Sequence, residues 1–254
     1  MQDFTGKNAL VTGAARGIGA AIARRLGNAG SHVIINYAHA DGAATALVDE
    51  IRAAGGRATA VKADVSTLAG IDALFAACDA AFGGTPNLDF LINNAGIGSG
   101  GADSSLKSGG EEVFDAMVAT NLKGPHFVTQ AALPRLRDHG RIVNIGSVSG
   151  KVGQPFAAGY AMTKRALQSL TFSTALAVAK RQITCNLIAP GAVATDFIAT
   201  LREKPGWDEG TANHTPMGRL GGPEDIAGAV MMLLGDDARW VTGQIIEASG
   251  GLSI

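Results

Sequence analysis

Short apolar runs recur along the chain, each followed by a longer stretch in which apolar residues return every three or four positions. Ala9-Leu10-Val11 is the first run, and Ile18, Ile22 and Leu26 after it mark one face of a helix. Val33-Ile34-Ile35 leads into an alanine-rich stretch ending at Gly55-Gly56. Val61 sits in a third strand, Phe90-Leu91-Ile92 forms a fourth and Ile142-Val143-Asn144-Ile145 a fifth; Leu187-Ile188 closes a sixth and Ile245-Ile246 forms a seventh. Strands that are apolar on both faces and alternate with helices indicate a parallel sheet covered on both sides. Right-handed crossovers then favour a doubly wound, seven-stranded Rossmann-type α/β fold. No repeat or linker divides the chain, so residues 1–254 are expected to form one domain.

Helices are expected around Glu112–Arg137 and Pro155–Arg181, both rich in Ala, Leu and Phe. Two stretches look loop-like, Gly96 to Gly110 and Ala192 to about Pro223. Each follows a strand, and ligands in such folds bind beyond the carboxyl ends of strands, so both are candidate pocket walls. Within the second, Asp196 to Met217 is the candidate lid.

Composition narrows the class. Hydrophobic residues make up 46% and charged residues 17%, which predicts a sizeable core. A net charge of -1 gives no reason to expect nucleic acid or an anionic membrane as partner. Apolar runs are too short to span a bilayer, and Met1 to Lys7 lacks the basic-then-apolar order of a secretory signal. Cys78 and Cys185 lie in apolar settings and read as buried thiols of a cytoplasmic protein. No metal-binding cluster is expected.

The first strand runs into Thr12-Gly13-Ala14-Ala15-Arg16-Gly17-Ile18-Gly19. Glycines let the backbone turn tightly and approach a pyrophosphate, while the helix opening at about Gly17 directs its unpaired N–H groups at the anion. A plain strand-to-helix turn would also use glycine; placement between a strand and a periodic helix favours nucleotide binding. The second strand ends Asn36-Tyr37-Ala38-His39, with no acid until Asp41. An acid there would bond the ribose 2′-hydroxyl of NAD, and its lack, with Arg16 in the turn, favours NADP(H) over NAD(H).

Tyr160 and Lys164 are four apart, on one face of a helix. A phenol is a poor base at neutral pH unless a nearby cation stabilises its anion. So tuned, it exchanges a proton with a carbonyl or alcohol oxygen. Alone, the spacing is common by chance, and its usual reading is an amphipathic surface pair. Ser147 lies thirteen positions earlier, just after the fifth strand, where a hydroxyl can bond the reacting oxygen; Ser149 is its rival. Asn121 sits mid-helix, where a buried amide needs partners, and an ordered water linked to Lys164 would serve.

The spacing Thr-Gly-x-x-x-Gly-x-Gly, with Asn121, Ser147, Tyr160 and Lys164 in that order, resembles the short-chain dehydrogenase/reductase family over nearly the whole chain. The resemblance implies a hydride transfer between nicotinamide and a ketone or secondary alcohol, with Tyr160 as acid/base and Ser147 orienting the substrate oxygen. Lys164 would hold the ribose and tune Tyr160, and Asn121 would support a proton relay. It places Gly13, Arg16, Gly17, Ile18 and Gly19 at the phosphates, and Tyr37, Ala38 and His39 along the adenosine ribose. Asp64-Val65 would touch the adenine, although the same pair also suits a helix entry. Asn94-Ala95-Gly96 would pack at the ribose and steady the sheet. Pro190, Gly191, Val193 and Thr195 would wall the nicotinamide. Ser249 departs from the family, where an acid is usual.

The pattern is most similar to 3-oxoacyl-acyl-carrier-protein reductases, whose basic residues meet an acidic carrier. Arg181 matches one such position, while Asp138 replaces another. A sugar, polyol or small cyclic alcohol dehydrogenase stays open, as does a non-catalytic dinucleotide sensor. The alanine- and phenylalanine-rich helices imply a homotetramer or dimer.

Overall fold

A computed structural model describes residues 2–98 and 102–252. Met1 of the amino-terminal segment and residues 99–101 of the first candidate pocket wall lie outside the described residues.

Seven parallel strands form one sheet in the order β3-β2-β1-β4-β5-β6-β7. They are β1 (Asn8–Val11), β2 (His32–Tyr37), β3 (Arg57–Lys62), β4 (Leu88–Asn93), β5 (Leu136–Ile145), β6 (Thr184–Pro190) and β7 (Ile245–Ala248). The helices are α1 (Gly17–Asn28), α2 (Asp41–Ala53), α3 (Leu68–Phe82), α4 (Glu111–Val118), α5 (Gly124–Ala132), α6 (Ala158–Val178), α7 (Ala199–Arg202), α8 (Trp207–His214) and α9 (Pro223–Leu234).

Alternation along the strands explains the doubly apolar pattern. Ala9 and Val11 of β1 and Val33 and Ile35 of β2 face one core, with Ile22 and Leu26 of α1 and Ile226 and Val230 of α9. Leu10 and Ile34 face the opposite core, with Leu74 and Phe75 of α3 and Val128 of α5. Both cores exclude water, so a polar residue on either face of these strands would be costly. The chain walks outward from β1 to β3 and returns to β4 on the other side of β1. This reversal opens a crevice at the carboxyl ends of β1 and β4.

Several boundaries differ from the sequence expectation. The helix expected to reach Arg137 stops at Ala132, and Arg137 lies in β5. Pro134 lacks the N–H that would continue the helical ladder. Between α4 and α5, Ala119–Lys123 forms a π-helical turn. The second expected helix begins at Ala158 rather than Pro155, and after Val178 its last residues Ala179–Arg181 tighten to a 3-10 turn. β6 runs past Ile188, where it was expected to close, to Pro190, which pairs with Ala248. The segment expected as loop from Ala192 carries a 3-10 turn at Asp196–Ile198 and helices α7 and α8. No helix among the described residues is long and apolar enough to cross a membrane.

Candidate active site

The glycine turn is pressed against the end of β4. Gly13 has φ +60° and Gly17 φ +56°, a region that favours glycine. A Cβ on Gly13 would sit 2.8 Å from the Ala95 Cα, and one on Gly19 would sit 2.5 Å from the Asn94 Nδ2. The Asn94 Nδ2 donates to the Thr12 carbonyl (2.9 Å) and the Gly13 carbonyl (3.0 Å). The Thr12 hydroxyl oxygen accepts from the N–H groups of Asn94 and Ala95, each at 3.0 Å. Asn94 and Ala95 thus clamp the turn to the sheet. Ile18 packs against the adjoining core. Arg16 precedes α1 with no side-chain capping bond. The first-turn N–H groups therefore open on the crevice, with no Cβ at Gly17 or Gly19 beside them; this donor set fits a dinucleotide pyrophosphate.

Arg16 forms a surface ion pair. Its Nη1 lies 3.2 Å from the Asp196 carboxylate, in an exposed pair joining the turn to the start of the lid segment. The end of β2 adjoins the turn directly: the Ala14 N–H donates to the Asn36 carbonyl at 2.8 Å. Tyr37 closes β2, followed by Ala38 and the exposed His39. Asp64 accepts from the Ser66 N–H at 2.9 Å, and Thr67 caps α3 by accepting from the Gly70 N–H at 3.0 Å. Val65 is buried in the core. The helix-entry role of this pair is therefore realised.

Ser147, Tyr160, Lys164 and Asn121 converge beside the turn. β5 delivers Ser147, whose Oγ accepts from the Ser149 N–H at 3.1 Å. Ser149 serves through its backbone, and the Ser147 hydroxyl lies close enough to the Tyr160 phenol to favour its ionised form. Burial pushes Tyr160 up to about 12, a rise that the Ser147 hydroxyl only partly opposes. Lys164, on the next turn of α6, is buried with its Nζ 5.7 Å from the Tyr160 ring centre. Nζ donates to the Ile145 carbonyl at 3.0 Å. Desolvation lowers Lys164 to about 8. The expected lowering of Tyr160 by this cation is thus outweighed by burial.

Asn121 lies in the π-helical turn and is 1% exposed. Its Oδ1 accepts from the Ile97 N–H and its Nδ2 donates to the Ile97 carbonyl, both at 2.8 Å, with a longer bond of 3.3 Å to the Thr163 hydroxyl. The Asn121 amide thus has partners in Ile97 and Thr163. Gly96 is where Lys164 and Asn121 meet: a Cβ there would sit 3.3 Å from the lysine Nζ and 3.4 Å from the Asn121 Oδ1.

The segment after β6 closes the crevice. Val193 bridges to Gly221, and a Cβ on Gly191 would sit 3.1 Å from the Ser249 Cα. Thr195 faces Gly17, whose added Cβ would lie 3.4 Å from the Thr195 Cγ2. Phe197 leans over Tyr160, ring centres 5.7 Å apart and tilted by 48°. Gly98 gives Phe197 room, since a Cβ there would lie 3.3 Å from its ring. Gly98 and Ile97 were not legible because their contribution is space and backbone, which residue type does not announce; Thr163 adds a hydroxyl that any helical threonine could offer. Away from the crevice, Arg181 is turned onto its own chain: it bonds Asp138 at 2.9 Å and the carbonyls of Leu133 and Leu136.

Comparison with known proteins agrees with this geometry. Residues 13–253 match the family described as Enoyl-(Acyl carrier protein) reductase. An uncharacterized oxidoreductase of Methylorubrum extorquens is 42% identical over 99% of this chain and 100% of its own. The 3-oxoacyl-[acyl-carrier-protein] reductase FabG of Staphylococcus aureus is 39% identical over 97% of this chain and 98% of its own. The crystal structure of the angucycline C-6 ketoreductase LanV with bound NADP superposes with a TM-score of 0.91 at 39% identity, covering 99% of this chain and 97% of that one.

Proposed function

Because the chain belongs to the short-chain dehydrogenase/reductase family, we propose that it reduces a ketone with NADPH, using Tyr160 as the proton donor. The observation that carries this reading is the buried Lys164 ammonium set 5.7 Å from the ring of the half-buried Tyr160, with Ser147 delivered beside them at the end of β5. The nicotinamide supplies the hydride when bound. Tyr160 passes its proton to the developing alkoxide, and Ser147 holds the same oxygen. With Tyr160 near 12 and Lys164 near 8, both are protonated at neutral pH, which suits reduction over alcohol oxidation. Lys164 reaches the ribose side of the crevice. Asn121 positions Ile97 and the wall that Lys164 packs against, rather than carrying protons itself.

NADP over NAD is supported by the acid-free end of β2 and by the NADP in the LanV structure. Gly13, Gly17, Ile18 and Gly19 would take the pyrophosphate, with Val193 and Thr195 opposite. Tyr37, Ala38 and His39 would line the ribose.

For the substrate, Phe197 over Tyr160 supports a ketone with an apolar or aromatic body, as does the likeness to a ketoreductase of angucyclines. A 3-oxoacyl carrier substrate has the FabG likeness in its favour, but Arg181 is paired with Asp138, which offsets its charge toward an acidic partner. Buried, unpaired Cys78 and Cys185 support a cytoplasmic site of action. Exposed apolar side chains on α6 and near β7 support a homotetramer.

The test is a carbonyl panel followed at the NADPH absorbance, with an aromatic or cyclic ketone, a 3-oxoacyl thioester and a sugar alcohol. The ketone is expected to show the highest kcat/KM, and a carrier-bound thioester to be no better than a small thioester. Tight NADPH binding with no carbonyl reduced would replace this reading with a dinucleotide sensor.

A further inference from the structure

A carboxylate stands near the acid-free end of β2, at the start of the helix that follows it. Asp41 opens α2, four residues beyond Tyr37. Its Oδ1 accepts from the Tyr37 hydroxyl at 3.2 Å. Both of its oxygens accept from the Lys62 Nζ, at 3.1 and 2.9 Å. Lys62 is the last residue of β3 and stands in register with Tyr37. The three side chains therefore form one cluster at the carboxyl edge of β2 and β3. That edge adjoins the nucleotide turn, since the Gly13 and Ala14 N–H groups both donate to Asn36, at 3.3 and 2.8 Å.

A free carboxylate at this edge would accept from a ribose 2′-hydroxyl and repel a 2′-phosphate. Here its charge is matched by the ammonium beside it, and its oxygens are turned toward β3. The Lys62 bond is also the largest influence holding Asp41 below its ordinary carboxyl value, so the pair stays ionised at neutral pH. Arg16, the other cation near this edge, is engaged with Asp196.

We propose that Lys62 is a specificity-determining positioning residue, which sequesters the Asp41 carboxylate and so lets this site accept a 2′-phosphorylated dinucleotide. The inference rests on the NADP reading above and adds the reason that an acid near β2 does not defeat it. Lys62 acts through Asp41 rather than by touching the phosphate.

Titration calorimetry with NADPH, NADH and 2′,5′-ADP on the full chain tests this without any turnover. The forms compared are wild type, Lys62→Met, Asp41→Asn and the double variant. Both side chains are more than half exposed, at 57% and 59%, so all forms should melt alike. Lys62→Met is expected to lower the NADPH-to-NADH affinity ratio about fivefold to tenfold, the scale of one unscreened surface charge acting on a phosphate dianion. 2′,5′-ADP should weaken in parallel with NADPH. The double variant is expected to regain the wild-type ratio within about twofold, because the charge Lys62 restrains is gone. An unchanged ratio in Lys62→Met overturns the inference. A double variant as poor as Lys62→Met also overturns it, by showing that Lys62 holds the phosphate itself. Wild type binding NADPH no more tightly than NADH is a separate result, which removes the NADP reading.

Discussion

Gly96 shows how tightly the reactive side chains are placed. Its missing Cβ would lie 3.3 Å from the Lys164 ammonium and 3.4 Å from the Asn121 carbonyl oxygen, so an added methyl group would press on both. Gly96→Ala is expected to lower ketone-reduction kcat/KM by roughly tenfold, with NADPH affinity changing less; steady-state kinetics and calorimetry check it. The four polar residues around this point were legible in the sequence because their types and order are unusual together. Their partners were not. Asn121 bonds the backbone of Ile97, and a backbone partner leaves no trace in residue identity. Burial was not legible either, since proximity of Lys164 to Tyr160 can be read from spacing while the depth of both cannot. Lys164 is charged below about 8 and neutral above it, whereas Tyr160 keeps its proton to about 12. The kcat/KM for reduction is therefore expected to fall as pH rises through about 8 in the free enzyme. A profile flat from pH 7 to 10 would show that Lys164 keeps its proton.

Helices and strands were legible where apolar periodicity persisted over several turns. They were illegible in the stretch after β6. α7 has four residues and α8 eight, with Lys204-Pro205-Gly206 between them, so neither offers enough apolar positions to define a face. The next helix, α9, is held at its start by Asp225. Its carboxylate accepts from the Gly222 N–H at 2.7 Å and from Arg219 at 2.7 and 3.0 Å. These bonds bring Asp225 from 3.8 to about 2, the Arg219 bond first. A carboxyl lowered on folding stabilises above its unfolded value and loses that contribution as pH falls through its folded one. The window here runs from about 4 down to about 2. Asp225→Asn is expected to cost about 1 kcal/mol at pH 7, the scale of a helix cap, or about 2–4 °C in Tm. The loss should shrink at pH 2.5, where a melting curve of each form checks it.

At the scale of the whole molecule, the strand order follows from alternation and handedness, and the crevice follows from the strand order. Assembly is less directly legible, since an apolar helix face serves core and interface alike. The structure separates the two. Phe172 and Leu176 of α6 remain 47% and 81% exposed, and Trp240, ahead of β7, is 91% exposed. Large apolar side chains left open at these places suit burial against further copies of the chain. Light scattering is expected to give four times the chain mass for wild type, and half of that for Leu176→Glu. A monomeric wild type would remove the tetramer. The crevice itself lies within one chain, as both cores and the four polar residues do.

All these scales meet at one proton, on the Tyr160 oxygen. The direct measurement compares Tyr160→Phe with wild type, pairing NADPH affinity by calorimetry with turnover of the best ketone from the panel. The expected result is an affinity within about threefold and a kcat lower by about 10²–10⁴-fold, the contribution of a positioned acid. A variant that binds NADPH and turns over within tenfold of wild type would show that another group delivers the proton.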